Sequence, residues 1–329
     1  MQGDKKIAII AILKILEDKT DANHPITYEK IGNLLLDDYN ITMERRAIAR
    51  NIGFLRDYGY DIEVGHNGTY INSREFDDSE LKLLIDNVVS NKYITAAQSK
   101  DLAEKLMAQA SQQLRKHTKY VTSMNDWNKT TNQEVFLNIE IIDEAIAEKK
   151  QIEFDYNEYN TDHQLVPRHA ERKSVVSPYR RVVKNQRYYL MCKNMYHGSL
   201  TYYKIDKMTN MKKLDVYADD INTLPSFTHG VNNSILSDAL PYMFSDKPEN
   251  IQLELNGPYA ADVVWDWFGS KVKFTKGKDD KTIACLKSSK LAMKYWALQF
   301  YDVVKVISPI DLVEDIKKAL SDAVNMYNN

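Results

Sequence analysis

Before residue 60 the apolar positions fall at helical spacing three times over. Ile7, Ile10, Ala11, Leu13 and Leu16 mark a short amphipathic helix over Lys5–Asp18. After the His24-Pro25 break, Thr27 can cap a second helix, Tyr28–Tyr39, whose Ile31, Leu34 and Leu35 point one way. Thr42 can cap a third, Met43–Tyr58, with Ile48, Ile52 and Leu55 on one face and Gly59 as its stop. The period then drops to two. Tyr60–Val64 and Thr69–Asn72 alternate around a Gly65-His66-Asn67-Gly68 tip, the grammar of a hairpin.

Helical periodicity returns from Phe76 to Lys150. It predicts helices over Glu80–Asn91 behind an Asp78-Ser79 cap, Ala96–His117 and Val135–Lys149, with a polar passage around Trp127 before the last. Ile152–Tyr156 is an alternating strand, and a charged loop follows over 157–173. Three runs rich in Val, Tyr and Ile then fill Val175–Met208, broken at Lys184-Asn185-Gln186 and at His197-Gly198-Ser199. A short strand covers Lys212–Tyr217, and residues 219–248, with Pro225, Pro241 and Pro248, read as a connector.

The remaining pattern is strand Ile251–Leu255, helix Pro258–Phe268, strands Val272–Phe274 and Thr282–Lys287, helix Leu291–Phe300, strand Val304–Ile307 and helix Asp311–Tyr327. The chain therefore predicts a multidomain α+β architecture. Its expected parts are a trihelical unit with a hairpin (1–75), a helical connector expected to dimerise (76–150), a β-rich domain (151–218), a linker (219–248) and an α+β end domain (249–329).

Composition changes this picture little. At 329 residues several domains are expected, and 43% apolar with 27% charged residues is the balance of a globular protein. No apolar run approaches the ~20 residues of a membrane span, and no small-residue cleavage site follows the N-terminal apolar run. Cys192 and Cys285 lie far apart, without His or Cys at ligand spacing, so the expectation is reduced thiols in the cytoplasm and no metal.

Charge changes it more. The net charge is −2, yet Val175–Met208 holds Arg180, Arg181, Lys184, Arg187, Lys193, Lys204 and Lys207 against Asp206 alone. A basic, tyrosine-rich sheet in a near-neutral chain points to an anion site. Strand alternation and turn spacing could bring Ser177, Tyr179, Arg181, Tyr189, Lys204 and Lys207 to one surface. Tyrosine would stack there while the cations hold phosphate. Tyr188 and Tyr203 fall in the opposite phase and read as core.

Three helices and a hairpin form the layout of a winged helix-turn-helix, whose third helix enters the major groove of double-stranded DNA. Thr42, Arg45, Arg46, Ala49 and Arg50 stand at its N-terminal end, and His66 and Asn67 at the tip of the wing. Arginine can pair bidentately with guanine or grip phosphate. The plainer alternative is a solvated face paired with Glu44 and Asp57. No Gly-rich phosphate loop, nucleophile elbow or zinc spacing appears, so neither an enzyme nor a cofactor is expected.

With Ser177-Pro178-Tyr179, Arg187-Tyr188-Tyr189-Leu190 and Tyr203-Lys204-Ile205-Asp206-Lys207-Met208 in place, the chain resembles the WYL-domain transcriptional regulators of bacteria. The resemblance includes Glu44-Arg45-Arg46 and Phe54–Ile62 and runs along nearly the whole chain. It implies a five-stranded Sm/SH3-like barrel, a homodimer, and a pocket that accepts nucleotides or nucleic-acid fragments and switches DNA binding. Tyr188 stands where the name-giving Trp lies, and Lys204 and Lys207 replace arginines, keeping charge but losing the bidentate fork. Ala49 holds a place often taken by Tyr. The expected function is a ligand-responsive homodimeric regulator. The alternative is a nucleic-acid-binding accessory protein of a defence or repair system that regulates no promoter.

Overall fold

The computed structural model describes residues 7–72, 74–117, 129–169, 171–224, 242, 246, 248–277 and 280–328. The polar passage around Trp127 and most of the 219–248 linker lie outside them. The architecture is mixed α/β and divides into two compact units, Met1–Gln133 and Glu134–Asn329.

The first unit opens with α1 (Ala8–Lys19), α2 (Tyr28–Tyr39) and α3 (Arg45–Tyr58). Their apolar stripes meet in one core containing Ile12, Leu16, Ile31, Leu35, Ile48 and Ile52. The Thr27 hydroxyl caps α2 by accepting from the Lys30 N–H at 3.2 Å, and Gly59 closes α3 in the left-handed region at φ 119°. The start of α3 differs from the sequence expectation. Its N-cap is Glu44, and Thr42 lies before the helix. Ile41 and Met43 both turn into the core, which keeps the chain extended for two residues longer.

Strands β1 (Ile62–Gly65) and β2 (Gly68–Ile71) pair antiparallel, and Ile26 bridges to Thr69 on the far side of β2. Gly68 is required at that crossing. Its φ is +134°, and a Cβ there would stand 2.8 Å from the Ile26 carbonyl carbon.

Next come α4 (Asp78–Ser90), α5 (Ala96–Ala108) and α6 (Gln112–His117). The predicted helix Ala96–His117 is two helices. Ala110 and Ser111 are buried at the break, and the Ser111 hydroxyl accepts from the Leu114 N–H at 3.2 Å, starting a new helix. The α4 cap is Asp77, whose N–H donates to the Glu80 carboxylate at 2.9 Å.

The second unit begins with α7 (Val135–Ala147), which the sequence grouped with the preceding helices. Its Ile142 and Ala145 are fully buried with Ile152, Phe154, Val176 and Leu190 of the adjoining sheet. That sheet contains β3 (Lys150–Tyr159), β4 (Leu165–Pro167), β5 (Ser174–Lys184), β6 (Arg187–Asn194), β7 (Leu200–Lys204) and β8 (Met208–Tyr217). The order β8-β3-β5-β6-β7 is antiparallel throughout, so the last strand returns to pair with the first. β4 makes a short hairpin with the end of β3, inside the predicted charged loop.

Among the described residues, the rest is a four-stranded sheet with three α-helices. β9 (Glu249–Leu255), β10 (Lys273–Lys276), β11 (Thr282–Ser288) and β12 (Val304–Ser308) run in the order β10-β11-β9-β12. α8 (Ala260–Phe268), α9 (Lys290–Gln299) and α10 (Ile310–Asn328) accompany them around a fully buried Trp296.

Candidate functional site

Two surfaces carry the residues singled out above, one in each unit. On α3 the side chains of Arg45, Arg46 and Arg50 are exposed, with half-buried Ala49 between them. The 3.6-residue period sets Arg46 and Arg50 opposite the buried Ile48, Ile52 and Leu55, with Arg45 and Ala49 on the flank of the first two turns. Arg45 lies 5.9 Å from the Tyr28 ring centroid, which ties it to the start of α2. Arg46 and Arg50 have no carboxylate partner among the described residues, so the alternative of an ion-paired face with Glu44 and Asp57 does not describe them. Thr42 is exposed just before the helix, and His66 and Asn67 form the exposed tip of the hairpin.

The second surface gathers around a single 3-10 turn, Ile205–Lys207, between β7 and β8. Buried Asn157 donates to the Lys207 carbonyl at 3.0 Å, and buried Asn138 of α7 donates to the Met208 carbonyl at 2.8 Å. The turn is therefore held from β3 and from α7. At its centre Asp206, only 3% exposed, accepts at Oδ2 from a guanidinium nitrogen of Arg187 at 3.2 Å, and its Oδ1 lies in ion-pair contact with Arg187 Nε at 3.1 Å. Burial pushes the Asp206 carboxyl upward, against the pull of Arg187.

Arg187 is thus committed to Asp206, and Arg168 to Glu158 at 3.1 Å. Lys204 and Lys207 make no ion pair among the described residues. Lys207 instead lies 5.7 Å from the Tyr159 ring centroid. Burial, then the neighbouring charges of Arg187 and Lys207, hold the Lys204 ammonium below the ordinary lysine value. Lys204 therefore lies in the field of three further cations, Arg187, Lys207 and Arg168, against one carboxylate, Asp206, and is itself partly desolvated. An anion entering here would relieve that repulsion. Tyr156 backs the group: burial pushes its hydroxyl up to about 12, and it accepts from the Lys204 N–H at 3.4 Å.

Tyr189 stands directly opposite Lys204 in the β6–β7 ladder, so these two and Lys207 are brought together as expected from the sequence. The other three are not. A bulge between Pro178 and Arg180 shifts the phase of β5, pairing Arg181 with core-facing Leu190. Arg181 consequently points to α7, where Asp143 holds it bidentately at 2.5 and 2.8 Å. Tyr179 packs with Met191 and Leu224 instead. Ser177 is fully buried and accepts from the Asp219 N–H at 2.9 Å.

Arg187 and Arg168 belong to the surface but were not chosen from the sequence. Arg187 shares strand phase with Tyr189, a signal that was available. Arg168 comes from the β3–β4 hairpin, where nothing local marks it. Tyr188 and Tyr203 pack against the core, and the Tyr203 hydroxyl accepts from Asn194 at 2.7 Å.

Most of α7, the sheet as far as Lys213 and the basic turn fall inside one matched segment. Residues 138–213 are a WYL domain. Two solved structures resemble the whole chain more loosely. One is the proteasome accessory factor B/C (PafBC) of Arthrobacter aurescens, at 14% identity and TM-score 0.29, matched over 100% of this chain and 50% of that one. The chain thus spans about half the length of that relative. The other is a CRISPR Cas-related protein, at 16% identity and TM-score 0.38, with 98% of this chain and 84% of that one covered. No curated protein matches the chain. The WYL domain begins within α7, in keeping with the burial of Ile142 and Ala145 against the sheet.

Proposed function

We propose that this protein is a ligand-responsive, homodimeric DNA-binding transcriptional regulator. In this reading the three helices and hairpin of the first unit are a winged helix-turn-helix, with α3 as its recognition helix. The five antiparallel strands β8-β3-β5-β6-β7 of the WYL domain form an Sm/SH3-like barrel, and its basic turn senses an anionic ligand such as a nucleotide or a short single strand.

The observation that carries the proposal is the exposed arginine face of α3, whose side chains make no ion pair among the described residues. Arg45, Arg46 and Arg50 occupy the first turns of the helix, the part that reaches base edges when a recognition helix lies in the major groove. The wing tip, His66-Asn67, would touch the backbone or the minor groove beside it.

The ligand half rests on Lys204 and Lys207, whose charges no carboxylate in the described residues pairs. Tyr189 adds a stacking face next to them. Ligand and DNA would then be coupled through the preference of each for one conformation of the protein.

The test is recovery of bound genomic fragments by the purified full chain. A regulator enriches short palindromes centred on promoters, because two half-sites mirror the protein's twofold symmetry. Sequence-blind recovery would overturn the regulator and favour an accessory nucleic-acid binder.

A further inference from the structure

We infer that the first turn of α7 relays the state of the basic turn to the DNA-binding unit, with Asn138 and Glu134 as its two positioning residues. The inference rests on the ligand-responsive part of the proposed function and names the route by which that response travels.

α7 is the helix by which the chain enters the second unit, since the division falls between Gln133 and Glu134. The start of this helix grips the strand just beyond Lys207 twice. The Asn138 amide donates to the Met208 carbonyl at 2.8 Å, and the Glu134 carboxylate accepts from the Asn210 N–H, also at 2.8 Å. Asn210 has a left-handed backbone, φ 53°, and its side-chain amide donates to Asp155 of β3 at 2.8 Å. Lys207 and the start of α7 are therefore joined by a few residues of chain and a hydrogen bond. An anion drawn to Lys204 and Lys207 pulls on the segment that α7 holds.

Asn138 is out of place as a core residue. Val135, Asn138, Ile142 and Ala145 make up the buried stripe of α7, and the other three are apolar. Asn138 is fully buried, and its Oδ1 has no hydrogen-bond partner among the described residues. Burying an amide half-satisfied costs stability that an apolar side chain of similar volume would keep. What the amide supplies instead is a directional tie to one carbonyl. Its unused acceptor gives the same side chain a second arrangement, in which Oδ1 rather than Nδ2 is paired. Two discrete arrangements of one buried contact are what a coupling element needs.

The experiment is a titration of the full chain with an operator fragment, with and without a saturating 5′-phosphorylated thymidine trinucleotide as the probe. The wild type is expected to change its operator affinity at least about fivefold when the probe is present. Coupling is reciprocal, so the operator should change the probe's affinity by the same factor. Asn138→Leu and Glu134→Ala are each expected to hold both changes under about twofold, while each still binds the probe in the absence of DNA. Glu134 is only partly buried, so its variant keeps the fold even where the core substitution does not, and an unchanged thermal melt shows it.

A wild type that binds no operator, or whose operator affinity ignores the probe, would overturn the inference together with the ligand-responsive part of the proposed function. Variants that respond as the wild type does would overturn the inference alone. So would variants that no longer bind the probe, because the two contacts would then shape the site and relay nothing.

Discussion

Lys204 shows what a single residue contributes. Its ammonium sits among Arg187, Lys207 and Arg168 and is half-withdrawn from water, so its pKa in the folded chain lies below the ordinary 10.5. Between the depressed value and 10.5 the unfolded chain binds more protons than the folded one, and stability therefore rises with pH across that window. Lys204→Met should make stability rise less steeply with pH across that window than in the wild type, read as melting temperature against pH for both proteins. Inorganic phosphate should raise the melting temperature of the wild type and leave that of the variant unchanged. Parallel behaviour of the two proteins would remove Lys204 from the anion site.

At this scale the sequence is unevenly legible. Tyr189, Lys204 and Lys207 were found because they lie where alternation is regular. Arg181 and Tyr179 were misplaced because one extra residue near Tyr179 inverts the phase of β5, and no composition signal announces a bulge there. Ser177 failed differently. Its hydroxyl is taken by the Asp219 N–H, a contact 42 residues away that local pattern cannot register.

Elements were more legible, because caps and stripes are local. Thr27 and Gly59 act where the sequence placed them. Thr42 does not, since the burial of Ile41 and Met43 outweighs the cap it could offer. The hairpin tip was also evident, but its most constrained residue emerged only from the close approach of Ile26. Gly68→Ala should cost about 2 kcal/mol or more, from the positive φ and from displacing the Ile26 backbone. Chemical denaturation of the full chain checks this. A loss no larger than that of a surface substitution would contradict the close packing of Ile26 on β2. The Ala96–His117 stretch reads as one helix because nothing in it breaks the apolar period, yet Ser111 restarts the chain as a second N-cap.

At the scale of the molecule, long-range partnership decides what the pattern leaves open. α7 reads as one more connector helix, but its buried Ile142, Ala145 and Asn138 complete the sheet and hold the turn that carries Lys207. A fragment of residues 134–329 should therefore show a cooperative melt and a near-ultraviolet dichroism spectrum. A fragment of residues 151–329 should lose both while keeping strand content. Equal cooperativity in the two would deny α7 this part.

The central claim is that the outer face of α3 reads DNA, and one measurement bears on it most directly. It is the affinity of the full chain for a recovered palindromic fragment, titrated over a range of salt, with and without Arg46→Ala and Arg50→Ala. The double variant should bind at least about 30-fold more weakly where these arginines touch bases or phosphates. Its salt slope should shrink by up to about 2 as phosphate contacts are lost. Unchanged affinity and slope, with an unchanged melt, would contradict the account.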